Sequence, residues 1–451
     1  MSRALRILTL TRRACRVALC RVALCRVALC VCAPLANVHA QSTDSVKVAV
    51  SLDRPDWKYR VGDSAVFRVS VRRGGHEIPN TKVSVALAQE RMKPMRVDTV
   101  DGTAAGVALK GTLLAPGFLR ATATVRVDGV MYTGLATAAF SPELIDASTT
   151  MPDDFLAFWQ KAIADARRTP LVPVMTRRAD WSTADVDVYH VSFQNQKANS
   201  RIYGVLSVPT KPGTYPAMLV VPGAGVRPYF PSIATARQGV IHLTIGIHGI
   251  PVDRDSLLYN ELRATALENY STFGVEDRDK YYYKRVYTGV IRAGDFLFSL
   301  PQFDGTNYVV QGGSQGGHLA LVAGALDPRV KAISVSYPAM SDHFGYLRAR
   351  AGGWPHIFAD TTKVRAIAEK KETLRYYDSD NFARLLKVPG IYAWGYNDLT
   401  VPPTSSYATY NLVTAPKEVL IVVEMGHVRA PSQTRAMDAW LLDKLGVTPR
   451  K

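Results

Sequence analysis

After position 32 the 451-residue chain has no cysteine; its five, Cys15, Cys20, Cys25, Cys30 and Cys32, all precede Ala33. Whatever folds downstream does so without disulfides and without thiolate metal ligands. No later run reaches the roughly 20 apolar residues that a membrane-spanning helix needs, so stable membrane insertion is not expected. Histidines and acids do not fall at metal-ligand spacing either. His242 and His248, for example, stand six residues apart on a strand and its loop, and no metal is expected. Lys and Arg outnumber Asp and Glu by 55 to 38, a formal charge of +17, but without a basic run. That pattern reads as a solvated basic surface and not as a nucleic-acid interface.

What is present begins with an unusual leader. Three Cys-Arg-Val-Ala-Leu pentapeptides run from Cys15 to Leu29, after Arg3, Arg6, Arg12 and Arg13 and before Val38-His39-Ala40. A basic start, an apolar stretch and a small-residue cleavage site read as a secretory signal over residues 1–40, although Arg16, Arg21 and Arg26 interrupt the apolar part. Cleavage would remove seven arginines and no acid, taking the charge from +17 to +10. Export without disulfides suits a bacterial protein of the periplasm or the extracellular space.

From Ser45 onward short alternating strands recur: Val46–Val50, Ala65–Val71, Lys82–Ala86, Ala121–Val127 and Met131–Leu135. Gly74-Gly75, Pro79-Asn80, Asp101-Gly102, Pro116-Gly117 and Asp128-Gly129 punctuate them. Period-two alternation with such turns predicts an immunoglobulin-like β-sandwich domain over 41–140, with nothing catalytic in it. It is read as a structural cover, with carbohydrate binding as the alternative. Residues 141–152 read as a linker, and a helix starts at Asp153-Asp154 with Phe155, Phe158, Trp159 and Ile163 at helical spacing. Later come continuous apolar runs separated by helical stretches: Ala217–Val221, Val240–Ile245, Tyr308–Val310, Ala332–Ser336, Gly390–Trp394 and Val419–Val423. Strands buried on both faces look like this, so 153–451 is predicted to be an α/β domain with a doubly wound sheet. Tyr281–Tyr287 is placed on a helix beside the mouth of the site.

Gly312-Gly313-Ser314-Gln315-Gly316 joins one of these strands to a small-residue helix. That is the setting in which G-x-S-x-G carries a nucleophile: the tight turn leaves no room for side chains two residues either side of the serine. A serine hydroxyl needs a base, and the base needs an orienting group. His427, after the last apolar run, is the single histidine beyond position 400, and Gly426 lets it approach closely. Asp398, in Trp394-Gly-Tyr-Asn-Asp-Leu-Thr-Val-Pro402, is the predicted acid, with Asp342 the runner-up. Backbone N–H groups must face the oxyanion; Gln315 supplies one, and Ala224 in Pro222-Gly-Ala-Gly-Val226 the other, with Gly225 its neighbouring alternative. Arg227, Tyr229 and Trp354 are candidates for the substrate pocket. A serine hydrolase of this kind needs no cofactor.

Gly312–Gly317, Asp398 and His427 together resemble the acetyl xylan esterase and cephalosporin C deacetylase family, carbohydrate esterase family 7. Val221–Tyr229, Gly246–Pro251, Asp277–Arg285 and Gly352–His356 resemble its bacterial members with an N-terminal β-sandwich. Ser314-Gln-Gly-Gly317 is the most specific element of the likeness. The resemblance implies deacetylation of small acetylated carbohydrates such as xylo-oligosaccharides and sugar acetates, or of cephalosporin C. Well-known members form hexamers, so a homo-oligomer is among the expectations. Two positions depart from the family pattern. Ile247-His248-Gly249 stands where better-known members carry Arg-Gly-Gln, and Val428 where glutamate commonly follows the histidine. Two other readings share parts of this grammar. A prolyl-oligopeptidase-like serine peptidase would require a large propeller that the N-terminal part is too short to supply. A catalytically degenerate carbohydrate-binding protein would not need an intact Ser, His and Asp.

Overall fold

Alternation in the N-terminal part does produce sheets. The computed structural model describes residues 45–78, 80–102, 107–360 and 364–448; the expected signal segment 1–40 lies outside them. Ala65, Phe67, Val69 and Val71 point inward and are fully buried, while Arg68 and Arg72 face outward. Their strand, Ala65–Arg73, pairs antiparallel with Val46–Leu52, His76–Glu77 and Val107–Gly111. A second sheet takes the order Lys58–Tyr59, Val130–Phe140, Gly117–Val127, Lys82–Gln89, Arg96–Asp101. Its Val83, Val85, Ala121 and Ala123 are also fully buried. The two sheets come close enough that a Cβ on Gly134 would lie 2.3 Å from the Val48 carbonyl oxygen.

The following stretch, 141–152, expected as a linker, is held by hydrogen bonds at its centre. Ser148 N–H donates to Asp342 Oδ1 at 2.6 Å and Thr149 Oγ1 to Asp378 Oδ2 at 2.8 Å, and both residues are buried. From residue 45 onward the described residues form one compact unit.

The large sheet has nine strands: β1 (Val174–Arg177), β2 (Val186–Gln194), β3 (Arg201–Pro209), β4 (Tyr215–Val221), β5 (Ile241–Gly246), β6 (Phe303–Gly313), β7 (Ala332–Ser336), β8 (Gly390–Trp394) and β9 (Lys417–Ile421). Their spatial order is β1-β2-β3-β5-β4-β6-β7-β8-β9. Pairing is antiparallel from β1 through β5 and parallel from there to β9. Neighbouring residues in the central strands feed opposite cores. Leu219, Val310 and Ile333 join the core on one face, whereas Met218, Val309 and Ala332 pack with Leu441 and Leu445 on the other. The first face carries helices α1 (Phe155–Arg167), α2 (Tyr282–Phe298) and α3 (Gln315–Leu326); α5 (Pro431–Lys444) covers the second. Between them in sequence, α4 (Pro403–Leu412) follows β8. Among the described residues no helix is long and apolar enough to cross a membrane.

The chain reverses its winding between β4 and β6, which are neighbours in the sheet. Open α/β sheets place their clefts outside the carboxyl ends of strands at such a switch point. At this edge Gly316 passes the end of β4 so closely that a Cβ would lie 2.3 Å from the Val221 carbonyl oxygen. Since that neighbour is backbone, Gly316→Ala is expected to destabilise by about 1–3 kcal/mol, seen as a lower urea midpoint. An unchanged midpoint would contradict the close approach.

Candidate active site

Ser314 sits between β6 and α3 with φ 60° and ψ −126°, a left-side backbone conformation rare for a residue bearing a Cβ. The turn is held from several directions. Ser314 N–H donates to Ser336 O and its own carbonyl accepts from Ala339 N–H, both at 3.0 Å. The glycines are required by space: a Cβ on Gly312 would lie 2.2 Å from Gly316 O, and one on Gly317 2.6 Å from Ser336 O. Ser314 is thereby presented at the N-terminus of α3, whose first N–H groups have no carbonyl four residues back.

The structure brings the three residues expected from the strand ends into one relay. Ser314 Oγ lies 2.9 Å from His427 Nε2, and His427 Nδ1 lies 2.7 Å from Asp398 Oδ2. Because Asp398 is the acceptor on one side, Nδ1 carries the imidazole proton and Nε2 is left to accept from the serine hydroxyl. Asp398 is 1% exposed, and its Oδ1 accepts from Thr400 N–H at 2.8 Å and Val401 N–H at 2.9 Å. The Tyr337 ring packs 4.6 Å from the His427 ring, centroid to centroid. The runner-up acid, Asp342, is elsewhere, paired with Arg350 at 2.7 Å.

Ser314 and His427 open into a cavity of about 410 Å³ that Ala224, Arg227 and Trp354 also line. A neighbouring cavity of about 530 Å³ shares Ala224 and Trp354 with it. Tyr229 is not among the lining residues. It packs with Val188, Val205 and Val252, so the expectation for this residue is corrected. The half-buried Tyr229 ring lies beside Gly246, where a Cβ would come within 3.5 Å of it.

Of the two N–H groups weighed in the β4 loop, Gly225 donates to the Tyr270 hydroxyl at 3.2 Å. Ala224, which lines the cavity, is left as the loop's candidate donor beside the N–H of Gln315. Sequence reasoning used Gln315 for its backbone N–H and for the family likeness and gave its side chain no role, yet that side chain is fully buried and bonded at every polar atom. Oε1 accepts from Tyr270 Oη and Tyr283 Oη, each at 2.7 Å, and Nε2 donates to Pro222 O at 3.2 Å. Burial pushes Tyr270 up to about 12 and Tyr283 well above the ordinary tyrosine range, so both remain protonated donors. The Tyr281–Tyr283 run was legible as a helix near the site; its grip on Gln315 was not.

His248, in the departing Ile-His-Gly, braces the same loop. Tyr282 Oη lies 2.8 Å from its Nδ1 and Gly225 O lies 3.2 Å from its Nε2. A carbonyl can only accept, so Nε2 bears the proton and Nδ1 takes the tyrosine's. Burial holds this imidazole down to about 4, hence neutral. Arg285 Nη1 donates to Ile247 O at 2.8 Å, while Val428 is 54% exposed. Both departures leave the Ser-His-Asp contacts in place.

The acetyl xylan esterase (AXE1) family model matches residues 145–444, two-thirds of the chain. The chain belongs to the acetyl xylan esterase family. It is therefore a carboxylic ester hydrolase. The acetyl esterase Axe7A of Xylanibacter ruminicola is 40% identical over 395 residues, 86% of this chain and 88% of that protein. Among solved structures, the acetyl xylan esterase from Paenibacillus sp. R4 is 28% identical with a TM-score of 0.59, covering 67% of this chain and 98% of its own. Acetyl xylan esterase 1 from Thermoanaerobacterium sp. JW/SL YS485 shares the fold at 20% identity and the same TM-score, covering 67% of this chain and 97% of its own.

In this esterase Gln315→Leu would strand two tyrosine hydroxyls and the Pro222 carbonyl. Stability is expected to fall by roughly 2–3 kcal/mol, and kcat on p-nitrophenyl acetate by about tenfold or more as the β4 loop loses its anchor. Steady-state kinetics beside thermal unfolding read both; an unchanged kcat would show that the loop is held without Gln315.

Proposed function

We propose that this esterase is exported and removes O-acetyl groups from acetylated xylan, xylo-oligosaccharides or related sugar acetates through an acyl-enzyme on Ser314. The observation that carries the reading is the unbroken Ser314–His427–Asp398 relay opening into the cavity beside Ala224 and Trp354. His427 Nε2 takes the hydroxyl proton as Ser314 Oγ attacks the acetyl carbonyl. The negative charge that develops on the carbonyl oxygen is met by the N–H groups of Gln315 and Ala224. His427 then returns the proton to the departing sugar oxygen. Water, deprotonated by the same imidazole, releases acetate and restores the serine. Asp398 keeps its negative charge throughout and holds the imidazole in the useful tautomer.

The likeness to Axe7A, an acetyl esterase in its printed name, supports the acetyl preference. Arg227 and Trp354, on the rim of the cavity, are suited to a polyhydroxylated alcohol portion, a guanidinium for hydroxyl oxygens and an indole for a sugar face. Export is supported by the basic, cleavable pattern of residues 1–40 and by the restriction of every cysteine to it. The domain reading that accompanies this function is an immunoglobulin-like sandwich over 41–140 joined through 141–152 to an α/β-hydrolase domain over 153–451. The two facing N-terminal sheets and the parallel order of β5 to β9 support it.

An ester panel tests the function. Acetate release from p-nitrophenyl acetate and acetylated xylan is expected, with acetyl favoured over longer acyl groups and no cleavage of an aminoacyl-p-nitroanilide. Ser314→Ala should abolish release to within the background, and Asp398→Asn should lower kcat by about 10³–10⁴-fold. Amide cleavage without acetyl release would replace this reading with the peptidase one.

A further inference from the structure

The segment that carries Asp398 is gripped from outside the catalytic sheet. Arg120, on the N-terminal strand Gly117–Val127, is 6% exposed, and its Nη2 donates to Tyr396 O at 3.0 Å and Asp398 O at 3.1 Å. The same nitrogen contacts Glu90 Oε1 at 3.1 Å, and Glu90 Oε2 accepts from Thr404 N–H at 3.1 Å and Thr404 Oγ1 at 2.6 Å. Arg120 Nε donates to Thr137 Oγ1 at 2.8 Å, which in turn donates to Asn397 Oδ1 at 3.0 Å. Arg91 Nη1 reaches Leu399 O at 2.7 Å. Residues 396, 397 and 398 are thus each held by a side chain of the N-terminal sheets, and residue 399 by one on the turn after Gln89.

On its other side the segment meets the loop of the base. Asn397 N–H donates to Met425 O at 3.1 Å, and a Cβ on Gly395 would lie 2.0 Å from that same oxygen. The path therefore runs from Glu90 and Arg120, through the backbone of Tyr396 and Asp398, to the loop of His427.

A buried ion pair is a poor device for joining two surfaces, because desolvation of both charges consumes most of their attraction. Burial pushes the Glu90 carboxyl up to about 7, against the pull of Arg120 and Thr404. Apolar residues would weld this interface at least as well. What they lack is a donor fork whose Nη2 takes two backbone carbonyls of one turn while Nε stays fixed on Thr137. The family model begins at residue 145 and so does not reach any of these N-terminal groups.

We propose that Arg120, braced by Glu90, is a positioning residue for catalysis: the N-terminal sheets fix the turn that aims Asp398 at His427. The alternative is that the pair only fastens the two parts together. The two roles separate in a double-variant cycle on p-nitrophenyl acetate, using the full chain. Arg120→Met is expected to lower kcat by about tenfold to a hundredfold, the scale of a small misplacement of a catalytic group, with KM within about twofold. In an Asp398→Ala background the same substitution should cost less than about twofold, since the residue it acts through is already gone. Thr137→Val, nearly equal in volume, should give a smaller loss of several-fold that also vanishes in that background; it carries the test if Arg120→Met does not fold. Arg120→Lys, which keeps the charge but not the planar fork, should fall between wild type and Arg120→Met. Wild-type kcat in Arg120→Met, or a full independent loss in the double variant, would overturn the proposal.

Discussion

One contact sets the terms for the catalytic half: the hydrogen bond between Ser314 Oγ and His427 Nε2, made across 113 residues of chain. The two residues lie beyond the ends of β6 and β9, with β7 and β8 between those strands. A bond of 2.9 Å across that span requires the strand register, the Ser314 turn and the His427 loop each to be fixed within a few tenths of an ångström. The glycines at 312, 316 and 317 solve this at the serine by letting backbone pass within contact of backbone. Gly395 solves it at the acid, against the Met425 carbonyl. In each place a methyl group would have to displace main chain.

How far the site could be read from the residues alone follows from which of its parts are local. Ser314 and Asp398 come shortly after buried strands and His427 after the apolar run of the edge strand β9, so strand-then-turn grammar pointed to them without any knowledge of packing. Ala224 was found on the same logic, small residues after β4, while the exclusion of Gly225 depends on a hydroxyl 45 positions away. Tyr229 misled because nearness in sequence to Arg227 does not show the packing of its ring against Val188, Val205 and Val252, which come from other segments. The strands Arg96–Asp101 and Val107–Gly111 were missed because neither presents a sustained apolar row; the first is largely exposed along its length.

Arg120 was illegible for a different reason. On an alternating strand a single arginine reads as an outward, solvated residue. Here the end of the strand from Gly117 to Ala121 is buried on both faces, because the Asp398 turn covers the side that alternation assigns to solvent. Phe118 makes the same point, its ring packing 5.1 Å from Tyr396. The N-terminal sheets were legible as sheets and illegible as a support for the acid. The side chain of Gln315 belongs to the same class: its partners Tyr270, Tyr283 and Pro222 come from three separate segments.

Chemically, the account stands on a covalent step at one oxygen. The most direct measurement is mass spectrometry of the enzyme mixed briefly with p-nitrophenyl acetate, quenched in acid and digested. The account predicts one acetyl group on the peptide containing Ser314 and none on that peptide in Ser314→Ala. Sustained acetate release with Ser314 never acetylated, or with the acetyl group on another residue, would contradict it.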